Sequence, residues 1–291
     1  MKIGVVANGK KPGTAEVLEV LRKAARVLKF RYVSPSGEEE IADAIGGEVA
    51  AGGAFGGAVD AVVSVGGDGT VLRAVRLLGG AVKPILGVNA GHLGFLTSAG
   101  LGDVPAALRA LAEGKFARAR HPLLRATVRR ANGRKVGDAH HALNDVVVGW
   151  NSLARVARVS VDVDGERAGE YVCDGMIVAT PLGSTGHALS AGGPILHRGT
   201  AAVVLQPICA HTLSSRTLVL PAGSRVRLGV ESADGRLMVS VDGQCQGRVD
   251  RGDSVEVEWI PDAVEFARPA EDSWFGLLAK KLDWRGAYTK E

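Results

Sequence analysis

Residues 61–65 form an apolar run that ends in Gly66-Gly67-Asp68-Gly69-Thr70, and this junction constrains the fold more than any other stretch. An apolar run of Val and Ala, broken only by Ser64, reads as a buried strand, and three glycines around one aspartate read as the turn that leaves it. Lacking Cβ atoms, Gly66, Gly67 and Gly69 let backbone N–H groups come close to an anion. Thr70 is placed to cap a helix over residues 71–78, whose positive end also favours phosphate. Asp68 is the odd member, because a carboxylate repels phosphate. It fits if it meets a hydroxyl or a metal ion beside the phosphates. A sharp turn with a solvated aspartate is the alternative reading.

The first hundred residues alternate strand and helix. Strands are predicted over 3–7, 30–33, 61–65 and 84–88, and Thr14 opens a helix with Val17, Leu18, Leu21, Ala25 and Leu28 on one face. Strands separated by helices predict a parallel sheet covered on both sides, with ligands beyond the carboxyl ends of its strands. Six glycines in the twelve residues 46–57 predict a mobile loop.

Beyond Gly100 the pattern changes. A helix over 104–111 leads to Pro122, and period-two alternation follows. Leu124, Ala126 and Val128 alternate with charged and polar residues, as do Val159, Val161 and Val163 before a turn at Gly165. Val226, Leu228 and Val230 precede Ala233-Asp234-Gly235, with Leu237, Val239 and Val241 after it, which predicts a hairpin with one face buried. Val163-Asp164-Gly165 and Val241-Asp242-Gly243 repeat one short pattern. The tail, 274–282, is helical again and is expected to return to the first domain. The fold expected is therefore α/β, a Rossmann-like nucleotide domain over 1–100 with the tail 267–291, and a β-rich, sandwich-like domain over 101–266.

At 291 residues the chain is long enough for two such cores. A net charge of +4 suits anionic small ligands, and the absence of Lys/Arg runs interleaved with aromatics argues against nucleic acid. Cys173, Cys209 and Cys245 are scattered without metal-ligand spacing and suit a reducing compartment. No stretch approaches the roughly 20 apolar residues of a membrane span, nor does the start read as a secretory leader, so a cytoplasmic protein is expected.

Three further stretches carry chemistry. Residues 174–194, from Asp174 through Gly183-Ser184-Thr185-Gly186-His187-Ala188-Leu189-Ser190 to Pro194, run from an apolar strand into small residues and hydroxyls, a composition that favours donors around a ligand. Asn144-Asp145 interrupts the apolar run of 142–148, where an amide beside a carboxylate suits the vicinal hydroxyls of a ribose; a bulge with both side chains in water is the alternative. Asn89-Ala90-Gly91-His92-Leu93-Gly94-Phe95-Leu96 follows another strand; His92 either contacts a ligand or fixes the loop, while Leu93, Phe95 and Leu96 enter a core. Gln244 ends a turn and is placed to reach into a cleft. Arg73, Arg155 and Arg216 are candidate phosphate contacts.

These pieces, in this order and together with residues 207–216, resemble the NAD kinase family over about residues 1–270. The resemblance implies transfer of a phosphoryl group from ATP, or from polyphosphate, to the 2′-hydroxyl of the adenosine ribose of NAD, with a divalent metal ion such as Mg²⁺ and a homodimer or homotetramer as the usual assembly. It assigns Asp68 as the catalytic carboxylate. It also places Gly66, Gly67, Gly69, Thr70, Arg73, Asn144, Asp145, Asp174, Thr185, Gly186, His187, Ala188, Leu189, Ser190 and Gln244 against the nucleotides. The chain departs from the family where Gly186-His187 replaces a common Ala-Tyr, leaving a smaller ring to stack on a base, and where Val172 replaces a common basic residue. A lipid-type kinase shares the first glycine motif but calls for an apolar groove, and a non-catalytic NAD(H) sensor has no use for a carboxylate beside phosphates. No GxGxxG supports a dehydrogenase.

Overall fold

A computed structural model describes residues 1–91, 94–150, 156–233, 237–268 and 273–284. The chain divides into two compact units, Met1–Arg120 with Val264–Glu291, and His121–Ala263.

The first unit is built on a parallel sheet in the order Pro84–Asn89, Ala61–Gly66, Lys2–Ala7, Arg31–Ser34, Glu48–Val49. Its central strands are apolar at nearly every position because both faces are covered, and Ile3, Val5, Val63, Val65 and Val88 are fully buried. Helix Thr14–Leu28 packs Val17, Leu18 and Leu21 inward, and helix Val104–Glu113 does the same with Val104, Leu108 and Leu111. The unit thus runs on past Gly100. Near the other end of the chain, Glu265 and Phe266 extend the sheet beside Pro84 and Ile85, and helix Trp274–Lys281 buries Trp274, Leu277 and Leu278.

The glycine-rich segment 46–57 is more ordered than its composition predicts. It contains the short strand Glu48–Val49 and the single helical turn Phe55–Ala58. A Cβ on Gly47 would press on the Tyr32 backbone, and one on Gly56 would overlap the Leu78 carbonyl. Here glycine serves close packing rather than freedom of the chain.

The second unit is a β-sandwich. One sheet contains Ala157–Val163, Glu166–Cys173 and Val226–Ala233. The other has six strands in the order Leu218–Pro221, Ala202–Ile208, Gly175–Ala179, Asp145–Trp150, Leu237–Val241, Gln244–Val249. The inner faces meet in one aliphatic core that includes Val146, Val148, Val159, Val161, Leu228 and Val239. The outer face of the six-stranded sheet is covered too, by Ala188 and Leu196 against Val147, Ile177, Ala179 and Val204.

The hairpin predicted from residues 226–241 does not form. Val226–Ala233 pairs within the first sheet and Leu237–Val241 pairs with Asp145–Trp150 in the second. Both strands turn their valines and leucines to the same core, so their alternation is what a hairpin would also show. Of the predicted turn, Asp234 and Gly235 lie outside the described residues.

Candidate active site

In the first unit the loops after three neighbouring parallel strands converge at their carboxyl ends. Asn8 N–H donates to the Val65 carbonyl (2.9 Å), Ala90 N–H to that of Gly66 (3.0 Å) and Gly13 N–H to that of Ala90 (3.3 Å). The helix here is Asp68–Leu77, with Gly67 as its N-cap. Thr70 is therefore in the first turn and not at the cap predicted for it. The reason is the extended backbone of Gly67, whose carbonyl already accepts from Thr70 N–H (2.9 Å) and Val71 N–H (3.2 Å). Gly66 is fixed sterically, since a Cβ there would overlap the Thr70 hydroxyl. For Gly67 and Gly69 nothing among the described residues lies within 4 Å of where a Cβ would sit. The space over these two glycines is open.

Asp68 begins the helix and is only partly buried. Its Oδ2 accepts from Phe95 N–H and its Oδ1 from Leu96 N–H, each at 2.9 Å. Gly94 permits this seat, because a Cβ there would overlap Oδ1. The carboxylate is thus oriented by backbone, while each oxygen keeps lone-pair capacity for a further donor. Leu96 is buried as predicted, and His92 and Leu93 lie outside the described residues. Arg73 donates to the Ala7 carbonyl (2.7 Å) and pairs with Glu38 (2.8 Å), whose other oxygen accepts from Ala7 N–H (3.1 Å). Burial raises the Glu38 carboxyl, against the Ala7 amide and the Arg73 charge that lower it. Sequence reasoning missed Asn8 and Glu38. Asn8, a polar residue ending an apolar strand, carried a signal that could have been used.

In the second unit Asn144-Asp145 sits where the chain enters strand Asp145–Trp150. Asp242 holds it there. The Asp242 carboxylate accepts from the backbone N–H groups of Leu143 (2.9 Å), Asn144 (2.8 Å) and Asp145 (3.2 Å). Asp242 and Gly243, both at positive φ, form the two-residue turn between Leu237–Val241 and Gln244–Val249. Asp145 is 5% exposed. Desolvation, and then the neighbouring Asp242 charge, push its pKa up to about 7. The amide oxygen Oδ1 of Asn144 is buried without a hydrogen-bond partner among the described residues.

Residues 180–186 lie over this pair. Thr180 N–H donates to the Asn144 carbonyl (2.8 Å) and its hydroxyl to that of Leu143 (2.6 Å). A Cβ on Gly183 would overlap the Asn144 carbonyl, and one on Gly186 would stand 3.7 Å from Asn144 Nδ2 and 3.8 Å from Asp145 Oδ2. Thr185 donates to the Leu182 carbonyl (2.9 Å). The one-turn helix His187–Ser190 follows, with Ala188 buried against the sheet, Leu189 half-buried, and His187 and Ser190 exposed. Gln244 is exposed and lies at the same end of the sheet as Asp145, because Val241 pairs with both Gln244 and Val146.

Asp174 is not brought to this cluster. Strand Gly175–Ala179 places Ala179 opposite Asp145 and Gly175 opposite Gly149, so Asp174 stands at the far end. Its partner is His211, with Nε2 3.7 Å from Oδ1. Arg216 donates to the carbonyls of Leu213 (2.8 Å) and Ser215 (2.7 Å) in its own loop, and Arg155 lies outside the described residues.

A parallel α/β unit with an aspartate at a Gly-rich strand end, in one chain with a β-sandwich, fits a phosphotransferase, and the comparisons with known proteins give that class. Residues 4–116 match the ATP-NAD kinase N-terminal domain and residues 143–268 the ATP-NAD kinase C-terminal domain. An NAD kinase of Gemmatimonas aurantiaca is 39% identical over 98% of this chain and 97% of its own, and one of Moorella thermoacetica is 35% identical over 98% and 90%. Among solved structures, an NAD kinase from Archaeoglobus fulgidus in complex with ATP shares 27% identity at a TM-score of 0.75, covering 98% of this chain and 100% of that one. A yeast NADH kinase complexed with NADH has the same fold at a TM-score of 0.90 and 21% identity, covering 100% and 89%. The chain belongs to the ATP-NAD kinase family.

Proposed function

We propose that the protein transfers the γ-phosphoryl group of ATP to the 2′-hydroxyl of the adenosine ribose of NAD, giving NADP and ADP. The observation that carries this reading is the Asp68 carboxylate, held by two backbone N–H groups beside two glycines with open space above them. A ribose hydroxyl is a weak nucleophile whose proton must leave during attack. Asp68 accepts that proton as the 2′-oxygen bonds to the γ-phosphorus and the bond to the leaving ADP oxygen breaks. The N–H groups around Gly67 and Gly69, at the start of a helix, face the phosphates and offset their charge.

No group of three or more metal-ligating side chains occurs among the described residues. A lone carboxylate fits an Mg²⁺ ion bound chiefly by nucleotide phosphates; in this second variant of the mechanism Asp68 would hold the ion instead of taking the proton. When bound, such an ion would offset charge on the phosphates. In the second unit, the orphan Oδ1 of Asn144 and the buried carboxyl of Asp145 call for hydrogen-bond donors, and the two hydroxyls of a ribose supply them. Gly186, His187 and Gln244 lie near enough in the fold to extend that contact. The family relationship supports a homodimer or homotetramer. No helix among the described residues is long and apolar enough to cross a membrane, and a cytoplasmic location accords with the reduced cysteines.

The test is incubation with NAD, ATP and Mg²⁺, followed by detection with a dehydrogenase that accepts only NADP. NADP formed by the wild-type protein supports the reading. Its absence with ATP, and also with polyphosphate as donor and NADH as acceptor, overturns it in favour of a dinucleotide sensor or another kinase.

A further inference from the structure

The first unit contains a cavity of about 600 Å³ between helices Val104–Glu113 and Trp274–Lys281, within the size range of small-molecule sites. Its walls are largely apolar, with Ala107, Ala110, Leu111 and Leu277 among them. Its charged lining is mostly cationic. Arg268 is only 4% exposed, Lys115 and Lys280 stand exposed, and Asp103 is the acidic member. Apolar walls with a buried guanidinium match a molecule that has an apolar body and one carboxylate.

The cavity also borders the segment that seats Asp68. Thr97 and Ser98 line it, while the preceding residues Phe95 and Leu96 donate the two N–H groups to the Asp68 carboxylate. Thr97 accepts from Gly94 N–H (3.1 Å), and Ser98 donates to the Ala267 carbonyl (3.4 Å). From the helix side, Trp274 packs on Phe95 with ring centroids 6.1 Å apart, and Lys281 lies 5.6 Å from the same ring. Whatever displaces that helix or residues 97–98 moves the groups that aim Asp68.

We infer that this cavity is a binding site for a small apolar carboxylate, with Arg268 as its charged partner, and that occupancy is transmitted to Asp68 through residues 94–98. The coupling rests on the role proposed for Asp68; the binding does not. The experiment is calorimetric titration of the full-length protein with decanoate and with the uncharged decanol. Decanoate is expected to bind saturably, about tenfold or more tightly than decanol. Ala110→Trp, which fills the cavity, and Ala106→Glu, an exposed position where a like charge meets the carboxylate, are each expected to weaken decanoate about tenfold or more. Ala106→Glu keeps the test decisive if Ala110→Trp does not fold. NADP formation by the wild type is expected to change about threefold or more with decanoate, and by neither variant to that extent. No saturable binding up to about 1 mM, or binding unchanged in Ala106→Glu, overturns the site. Binding without any change in turnover overturns the coupling to Asp68.

Discussion

Asp164 and Asp242 occupy the same three-residue setting, Val-Asp-Gly, and the same backbone conformation, with φ of 52° and 48°. Each makes a two-residue turn between antiparallel strands. Asp164 is exposed and accepts from one backbone N–H, that of Arg225 (2.8 Å). Asp242 is 8% exposed and accepts, among the described residues, from the backbone N–H groups of Leu143, Asn144 and Asp145. The turn chemistry is equal, and burial beside a second loop makes the difference. A carboxylate that gathers the N–H groups of a distant segment fixes that segment's side chains. Asp68 uses the same device in the first unit with Phe95 and Leu96, but it remains partly open to solvent and so is free to meet a substrate.

The largest effect is expected where this seating is disturbed at Asp68 without touching the carboxylate itself. Gly94→Ala pushes a methyl group into Oδ1, so the kcat for NADP formation should fall by about 100-fold or more. A rate within about threefold of wild type would show that the orientation given by residues 94–96 is unimportant.

Asp242→Ala and Asp164→Ala test the paired turns directly. Both lose the tolerance of aspartate for positive φ, about 1–2 kcal/mol. Asp242→Ala also leaves three N–H groups without their acceptor, so its urea midpoint should report roughly 3–5 kcal/mol of lost stability. KM for NAD should rise with it. Equal losses in the two variants would dissolve the comparison.

Asp145 responds to pH through the same carboxylate. Its folded pKa, about 7, lies above the ordinary aspartate value of 3.8, so between these values the folded state holds the proton longer. Its contribution to stability is complete below about pH 4 and is lost as pH rises through about 7. Asp145→Asn should therefore raise the stability measured by urea unfolding at pH 8 by roughly 2–4 kcal/mol, and change it little at pH 4. The reverse order would mean that the fold lowers the Asp145 pKa below its ordinary value. The smallest effect is Asp164→Asn, within about 0.5 kcal/mol by urea unfolding, because asparagine also tolerates the turn.

The parallel sheet was legible because its strands are continuously apolar and punctuated by glycine, and the sandwich because its strands alternate. Partners were less legible. Val226–Ala233 and Leu237–Val241 share a period that says which face is buried and not which strand lies alongside. Asp242 was invisible as an organiser because the segment it holds lies 98 residues away at Asn144, and its local sequence equals that of Asp164. Glycine misled in 46–57, since composition does not distinguish a residue that must bend from one that must be small. Asp68 was singled out by chemistry alone, a carboxylate among glycines, but the two N–H groups that aim it come from a segment 27 and 28 residues further on.

The most direct measurement is NADP formation by Asp68→Asn, with NAD affinity determined calorimetrically on the same preparation. The account predicts a kcat reduced by about 100-fold or more with a dissociation constant for NAD within about threefold of wild type. Substantial turnover by Asp68→Asn would contradict it, because neither proton acceptance nor metal binding survives the loss of that carboxylate.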